Sequence, residues 1–295
     1  MRLRHIEIFH AIMQAGSLSG AADLLSISQP AASKILAQAE HSLGIALFKR
    51  LPGGLKPTPE AILLFQETKS LYSSLERVRN LARNLLSHPG GLLRIGCIPS
   101  LGLGPVPQAV ADFARLCPGV SISLRTENNE TLSALLLAQE IDVAVAFEPT
   151  ARAGIAIEEL GKARAVFVGP IGAGYENRQE PVHLVDLDFS KWIGLDSTDP
   201  LGLKINSTLA SLDMRNCAPM IEVKTYYVAK ALVDSGMGFT IIDEFTAKAA
   251  GGSSPVVQLQ PEMSIGVYVM TSSSNPGTQA LKVLTQQLAK RMQNP

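Results

Sequence analysis

The stretch SLSGAADLLSISQPAASKILAQAEHSLGIALFKR, residues 17–50, restricts the fold more than any other part of this 295-residue chain. Ser17 and Ser28 stand where N-caps belong, each ahead of a run with apolar residues at helical spacing. Leu18, Ala21, Ala22 and Leu25 form one stripe and Ala31, Ile35 and Ala39 another, which predicts helices ending near Leu25 and Ala39. Pro30 falls in a first turn, where its missing N–H costs nothing. Only a turn at Ser26 and Ile27 separates the two helices, and the small Ala21 and Ala22 permit a close crossing, so the pair reads as a helix-turn-helix. On the outward face of the second helix this reading places Gln29, Ala32, Ser33 and Lys34, residues suited to base edges and phosphates in a major groove. Upstream, Ile6, Phe9, Ile12 and Met13 predict a third helix that completes the core.

The block that follows, LFKRLPGGLKPTPEA, predicts a wing. Pro52, Gly53 and Gly54 make the turn of a hairpin whose flanks carry Lys49, Arg50 and Lys56, with Arg50 the candidate for a phosphate or minor-groove contact. Residues 1–58 hold six cations (Arg2, Arg4, Lys34, Lys49, Arg50, Lys56) against three acids (Glu7, Asp23, Glu40), a balance of +3, while the whole chain sums to zero. The positive charge therefore collects where nucleic acid would bind.

Ala21, Ala22, Leu25, Ser28, Gln29, Pro30, Ala31, Ser33, Ile35, Glu40, Leu43, Gly44, Leu47, Phe48 and Arg50 fit one fixed-spacing pattern. In it the chain closely resembles the LysR-type transcriptional regulators. Ala39 stands where the pattern usually has Leu, Lys34 where it has Arg, and PTPEA at 57–61 where LTxAG is commoner; this last variant resembles the opine- and arginine-responsive branch. The resemblance implies an N-terminal winged helix-turn-helix, a long linker helix, and a two-lobed α/β effector domain similar to periplasmic binding proteins. It further implies a homodimer, pairing again into a homotetramer, on double-stranded promoter DNA in the bacterial cytoplasm, with a small-molecule effector and contact with RNA polymerase. Neither a cofactor nor enzymatic activity is expected.

From Pro59 to about Ser87 the apolar residues follow a heptad: Ala61, Thr68, Leu75 and Ala82 at one seam position, Leu64, Leu71, Val78 and Leu85 at the other. A helix of about 43 Å, at 1.5 Å per residue, is too long to bury that seam on a small domain and should pair with a second copy. His88, Pro89, Gly90 and Gly91 then break it as a hinge. The expected division is 1–58 for DNA binding, 59–88 for the linker helix and 91–295 for effector binding. Within the last, lobe I takes about 91–162 and 267–295, lobe II about 163–266. Short β-rich runs at 92–98, 120–126, 141–147, 163–169, 192–195, 220–225, 239–243 and 264–271 alternate with helical stretches near 103–116, 129–139, 201–211, 226–236 and 278–292.

Such lobes hold a ligand at the carboxyl ends of their strands. Ser100, Leu101 and Gly102 follow the first strand and open a helix, where free N–H groups suit a carboxylate. Glu148 ends the third strand, and Asp196, Ser197, Thr198 and Asp199 end a strand of the second lobe. Thr225 and Tyr226 are expected beside them, with Met237, Gly238 and Phe239 in a tight loop facing the same cleft. The acids would pair with an ammonium or guanidinium and Ser100 with a carboxylate, so the expected effector is amino-acid-like or opine-like.

Other classes fare worse. The chain carries no G-x-S-x-G, H-E-x-x-H or phosphate-binding G-x-x-x-x-G-K-(S/T), and no secretion signal or bilayer-spanning run. Cys97, Cys117 and Cys217 form no C-x-x-C and have no His at ligand spacing, which argues against a disulfide frame and a zinc site. A cysteine-based redox-sensing regulator remains the rival reading. A ligand-binding protein without DNA function is opposed by residues 17–50.

Overall fold

The computed structural model describes residues 1–51, 54–87, 91–214, 217–249, 252–273 and 277–293. The turn read at Pro52 and Gly53, and His88–Gly90 of the hinge, lie outside them. Two compact units divide the chain at Ser87 and His88.

In the first unit α1 (Leu3–Ala15), α2 (Leu18–Leu24) and α3 (Gln29–Leu43) precede an antiparallel hairpin of β1 (Phe48–Leu51) and β2 (Gly54–Pro57), then α4 (Pro59–Ser87). Ser17 Oγ accepts the Gly20 N–H at 3.1 Å and Ser28 Oγ accepts the Ala31 N–H at 3.4 Å, so both caps act as read. Ser26 turns the chain at φ +53°, and the Ile27 N–H donates to the Ala22 carbonyl at 2.9 Å. α3 runs past the expected end at Ala39 because nothing interrupts it before Gly44, whose φ of +72° and N–H bond to the Glu40 carbonyl close the helix. Ile8, Phe9, Ile12, Ala21, Ala22, Leu36 and Leu47 form the core. Ala32 joins them at 0% exposure, which corrects its placement on the outward face: the inward stripe is Ala32, Leu36 and Ala39, with Ala31 and Ile35 only half-buried beside it.

The seam of α4 divides. Ala61 and Thr68 are buried and Leu64 and Phe65 pack on the same core, whereas Leu71 and Val78 are 51% and 65% exposed. The side chains of Ala82 and Leu85 lie outside the described set.

The second unit is built on one mixed sheet in the order β4-β3-β5-β12-β6-β10-β8-β9. Its first half holds β3 (Leu92–Cys97), α5 (Pro105–Leu116), β4 (Ser121–Thr126), α6 (Asn129–Leu137) and β5 (Val143–Phe147), with β3 parallel to both β4 and β5. β6 (Ile155–Val168) leads into the second half: β7 (Val182–His183), β8 (Trp192–Leu195), α7 (Pro200–Ser211), β9 (Ile221–Val223), α8 (Tyr226–Asp234), β10 (Phe239–Asp243), α9 (Glu244–Ala249) and β11 (Val256–Gln260). β12 (Ser264–Ser272) and α10 (Gln279–Gln293) return to the first. β8 is parallel to β9 and β10, while β6 and β12 run antiparallel to each other over Ile155–Arg164 and Ser264–Ser272 and join the lobes. The ribbon slips register between Val267 and Tyr268, opposite Gly161 at φ +155°. Phe113, Phe147, Phe167, Ile95 and Leu132 are almost wholly buried; each contributes roughly 1.5–3 kcal/mol by leaving water.

Several sequence expectations move here. β6 begins at Ile155, eight positions before the expected 163, because its first half is a two-faced ribbon with exposed Glu158 and Glu159. α5 begins at Pro105 after a separate 3₁₀ turn at Leu101–Leu103. α8 stops at Asp234, with Gly236 at φ +84° following. β7, β11 and α9 were not anticipated.

Candidate nucleic-acid interface and ligand cleft

On the first unit, Ser28, Gln29, Pro30 and Lys34 are exposed around the start of α3, and Ser33 is half-buried. Ser17 and Ser28 spend their hydroxyls on caps. On the wing Lys49 and Lys56 are exposed and directly opposite in register, and Arg50 pairs with Leu55 through the backbone; its side chain lies outside the described set. Like charges placed opposite on a ribbon repel, so this pair is a feature an anion would relieve. His10 is a residue the sequence reading passed over. It is buried, bonds through Nε2 to Thr68 Oγ1 at 2.8 Å and stacks on Tyr72 at 4.6 Å, fixing α1 to α4. Because Thr68 Oγ1 donates to the Leu64 carbonyl, the imidazole is the donor in that bond. Burial lowers the His10 pKa.

On the second unit, two contacts bring the lobes together. The rings of Phe147 and Tyr226 stack at 6.0 Å, and a Cβ built on Gly104 would lie 2.8 Å from Phe245. The carboxyl ends of β5 and of β8 and β9 thus share one rim. Ser100 is buried there in a helical conformation with its hydroxyl free of any cap bond. It does not open a helix directly: the Gly102 N–H is held by the Ile98 carbonyl, and Pro105 and Pro107 remove donors from the first turn of α5. Leu101 is wholly buried, so its side chain belongs to the core.

Glu148 takes φ +38° at the end of β5, where its Oε1 accepts the Gly266 N–H at 2.9 Å. Left-handed backbone at a non-glycine residue stores strain of the kind found at functional rims. Asp196 Oδ1 accepts from the Thr198 N–H and hydroxyl at 2.8 and 2.7 Å; the Thr198 hydroxyl above all, with Lys224 nearby, holds its pKa down. Ser197 is exposed beside it and Thr225, at the head of α8, makes no cap bond.

Three of the expected ligand groups have other structural neighbours. Asp199 caps α7, taking the Leu201 and Gly202 N–H groups and the Tyr226 hydroxyl at 2.7 Å; burial raises its pKa. Tyr226 has its hydroxyl committed to that bond, and burial followed by the Asp199 charge raises its pKa strongly. Met237, Gly238 and Phe239 lie at the opposite end of the lobe II strands, since Phe239 pairs with Trp192 and not with Leu195. The length of β8, roughly 13 Å at 3.3 Å per residue, separates them from Asp196. There Gly238, at φ +108°, crosses close over the Lys191 carbonyl, and Phe239 packs among Phe167 and Phe189.

A cavity of about 190 Å³ also opens between the lobes, lined by Gly104, Gln108, Phe245, Lys248 and Arg291, which sequence reasoning missed. Both cations are engaged: Lys248 by Glu244 at 3.2 Å and Arg291 by Asp112 at 2.6 Å. Cys97, Cys117 and Cys217 are free thiols; burial pushes Cys97 up to about 12, away from the thiolate a redox sensor needs. Among the described residues no helix is long and apolar enough to cross a membrane.

Comparison with known proteins agrees with this arrangement. Residues 3–62 match the bacterial regulatory helix-turn-helix protein, lysR family, and residues 87–293 match the LysR substrate binding domain. The HTH-type transcriptional regulator AdmX of Serratia plymuthica is 35% identical over 296 residues, covering 100% of this chain and 93% of that one. The octopine catabolism/uptake operon regulatory protein OccR of Rhizobium meliloti is 29% identical over 252 residues, covering 84% and 81%. Full-length CbnR complexed with its target DNA has the same fold at a TM-score of 0.72 and 16% identity, covering 99% of this chain and 100% of that one. With one family model over its helix-turn-helix unit and another over its α/β unit, the chain belongs to the LysR family of DNA-binding transcriptional regulators and carries that family's effector-binding domain.

Proposed function

We propose that residues 1–58 read a promoter through Gln29, Pro30 and Ser33 at the bases and Lys34, Lys49, Arg50 and Lys56 at the phosphates, with Ser28 capping the reading helix α3 and Ser17 the helix α2 that supports it. The observation that carries this is the exposed start of α3 on the same unit as the Lys49–Lys56 pair. The exposed Leu71 and Val78 of α4 support a homodimer through residues 59–88, which would supply the second reading helix for a palindromic site. Pairing into a tetramer, contact with RNA polymerase and residence in the bacterial cytoplasm complete the reading. The effector then sits between the lobes of residues 91–295, against Ser100, Glu148, Asp196, Ser197, Thr198 and Thr225. Unspent carboxylate oxygens of Glu148 and Asp196 favour a ligand carrying an ammonium or guanidinium group. Similarity to a regulator of octopine catabolism points the same way, since octopine is an amino-acid derivative.

Binding sites selected from random DNA by the full-length protein test the division of roles. Gln29→Ala should broaden the selected consensus. Arg50→Ala should instead weaken binding on all sequences and flatten its salt dependence, by about 0.9 in log–log slope for each phosphate lost. Equal loss of sequence preference from both changes would overturn the assignment. A thermal-shift screen of amino acids and their derivatives tests the cleft, with stabilisation abolished by Glu148→Gln as the expected result.

A further inference from the structure

Glu40 occupies the last turn of α3, near the negative end of the helix dipole, where an acid costs stability. Its carboxylate has another task. Oε1 accepts the N–H groups of Leu47 at 2.7 Å and Phe48 at 3.1 Å, the two residues that lead into wing strand β1. The opposite side of the same segment is held by Thr58, whose Oγ1 lies 3.0 Å from the Ala46 carbonyl and 3.2 Å from that of Leu47. Thr58 also receives the Ala61 N–H on its hydroxyl at 3.2 Å, capping α4, and donates its own N–H to Leu47 at 2.9 Å. Residues 46–48 are therefore gripped by their N–H groups from the reading helix and by their carbonyls from the start of the linker helix.

We propose that Glu40 and Thr58 form a clamp that sets the wing's position relative to α3, making Glu40 a positioning residue for the phosphate contacts of Lys49, Arg50 and Lys56. The inference rests on the reading that the wing binds phosphates. One side-chain oxygen receiving two N–H bonds fixes both amides at once, and the wing it anchors carries two mutually repelling lysines opposite each other. Without the clamp those charges splay and the strand drifts from the groove edge. Because the same segment is tied to the N-cap of α4, a change in the linker helix reaches the wing through Thr58 and the reading helix through Glu40.

The test measures the salt dependence of binding to one duplex of fixed sequence, using the full-length protein. The Lys49→Ala/Lys56→Ala double variant should flatten the log–log slope by about 1.8 per domain, at about 0.9 per phosphate. Glu40→Asp, too short by one methylene to reach both N–H groups, should flatten it comparably, whereas Glu40→Gln, whose amide oxygen can accept both, should keep the wild-type slope. Hydrogen exchange at the Leu47 and Phe48 amides should accelerate in Glu40→Asp and stay slow in Glu40→Gln. A wild-type slope in Glu40→Asp, or equal flattening by Asp and Gln, overturns the clamp while leaving the wing reading intact. An unchanged slope in the double lysine variant removes the wing reading and the clamp's purpose with it.

Discussion

Replacing Asp243 by Asn should stabilise lobe II at neutral pH. Asp243 ends β10 fully buried; its Oδ1 accepts the Phe245 and Thr246 N–H groups at 3.0 Å each, while Oδ2 is enclosed. Burial above all pushes its pKa from 3.8 up to about 6. At pH below 3.8 the group is protonated in both folded and unfolded chains and costs nothing. Between about 4 and 6 the unfolded chain ionises while the folded one retains its proton, so stability falls as pH rises and then levels off. The shift corresponds to a loss of about 3 kcal/mol, at about 1.4 kcal/mol per pKa unit. Asn cannot ionise, keeps Oδ1 for the two N–H groups, and places an NH₂ where Oδ2 sits, beside the Thr246 hydroxyl. The chain has a single tryptophan, Trp192, on β8 beside β10, so its fluorescence follows this lobe during urea unfolding. Asp243→Asn should raise the midpoint at pH 7 by roughly 1–2 M, given a slope of about 2 kcal/mol/M, and by almost nothing at pH ~3, about a unit below the unfolded pKa. Asp199 shifts in the same direction but is common to both proteins, so the difference between them isolates Asp243. Equal pH dependence in the two proteins, or a variant less stable at pH 7, would refute the reasoning.

The remaining predictions concern other parts of the molecule. His10, its pKa lowered by burial, should titrate below 6.5 by NMR, and the N-terminal unit should lose stability as pH falls through that range because only the unfolded imidazole protonates readily. Gly238→Ala should cost about 2–4 kcal/mol by the Trp192 signal, since a Cβ there meets the Lys191 carbonyl at a left-handed φ. Asp199→Ala should destabilise by about 2–4 kcal/mol through a lost cap and an orphaned Tyr226 hydroxyl, whereas Asp199→Asn, which keeps the acceptor, should cost far less. Effector affinity measured on the Asn variant should equal wild type.

Local chemistry in the sequence anticipated much of this fold. Ser17 and Ser28 marked helix starts, and the runs WIGL and FTIID are the strands β8 and β10 residue for residue. Legibility failed where tertiary partners decide. Ala32 is as small as Ala31, and only the packing of Leu36 and Ala39 shows which of the two points inward. The first half of β6 carries Glu158, Glu159 and Lys162 because one side of that ribbon is exposed, which hides it from a search for apolar runs. In the candidate cleft, a cap and a ligand residue have the same spelling, and only the structure shows that Asp199 Oδ1 accepts the Tyr226 hydroxyl and the first N–H groups of α7. The GMGF loop was placed by motif alone, and strand register puts it at the amino ends of β8 and β10, opposite Asp196.

The shared ribbon of β6 and β12 bears on how this protein can be taken apart. β6 pairs with β12 over Ile155–Arg164 and with β10 and β11 over its last residues, so a cut at the lobe boundary leaves two pieces with unpaired edges instead of two proteins. Exchanging ligand preference between relatives by grafting one lobe would splice foreign residues into a ladder whose register slips at Val267 and Tyr268 opposite Gly161. The natural unit of exchange is the whole segment from β3 to α10. Within it, any rotation of one lobe against the other would have to be taken up along two continuous strands, whose ladder is interrupted only opposite Gly161.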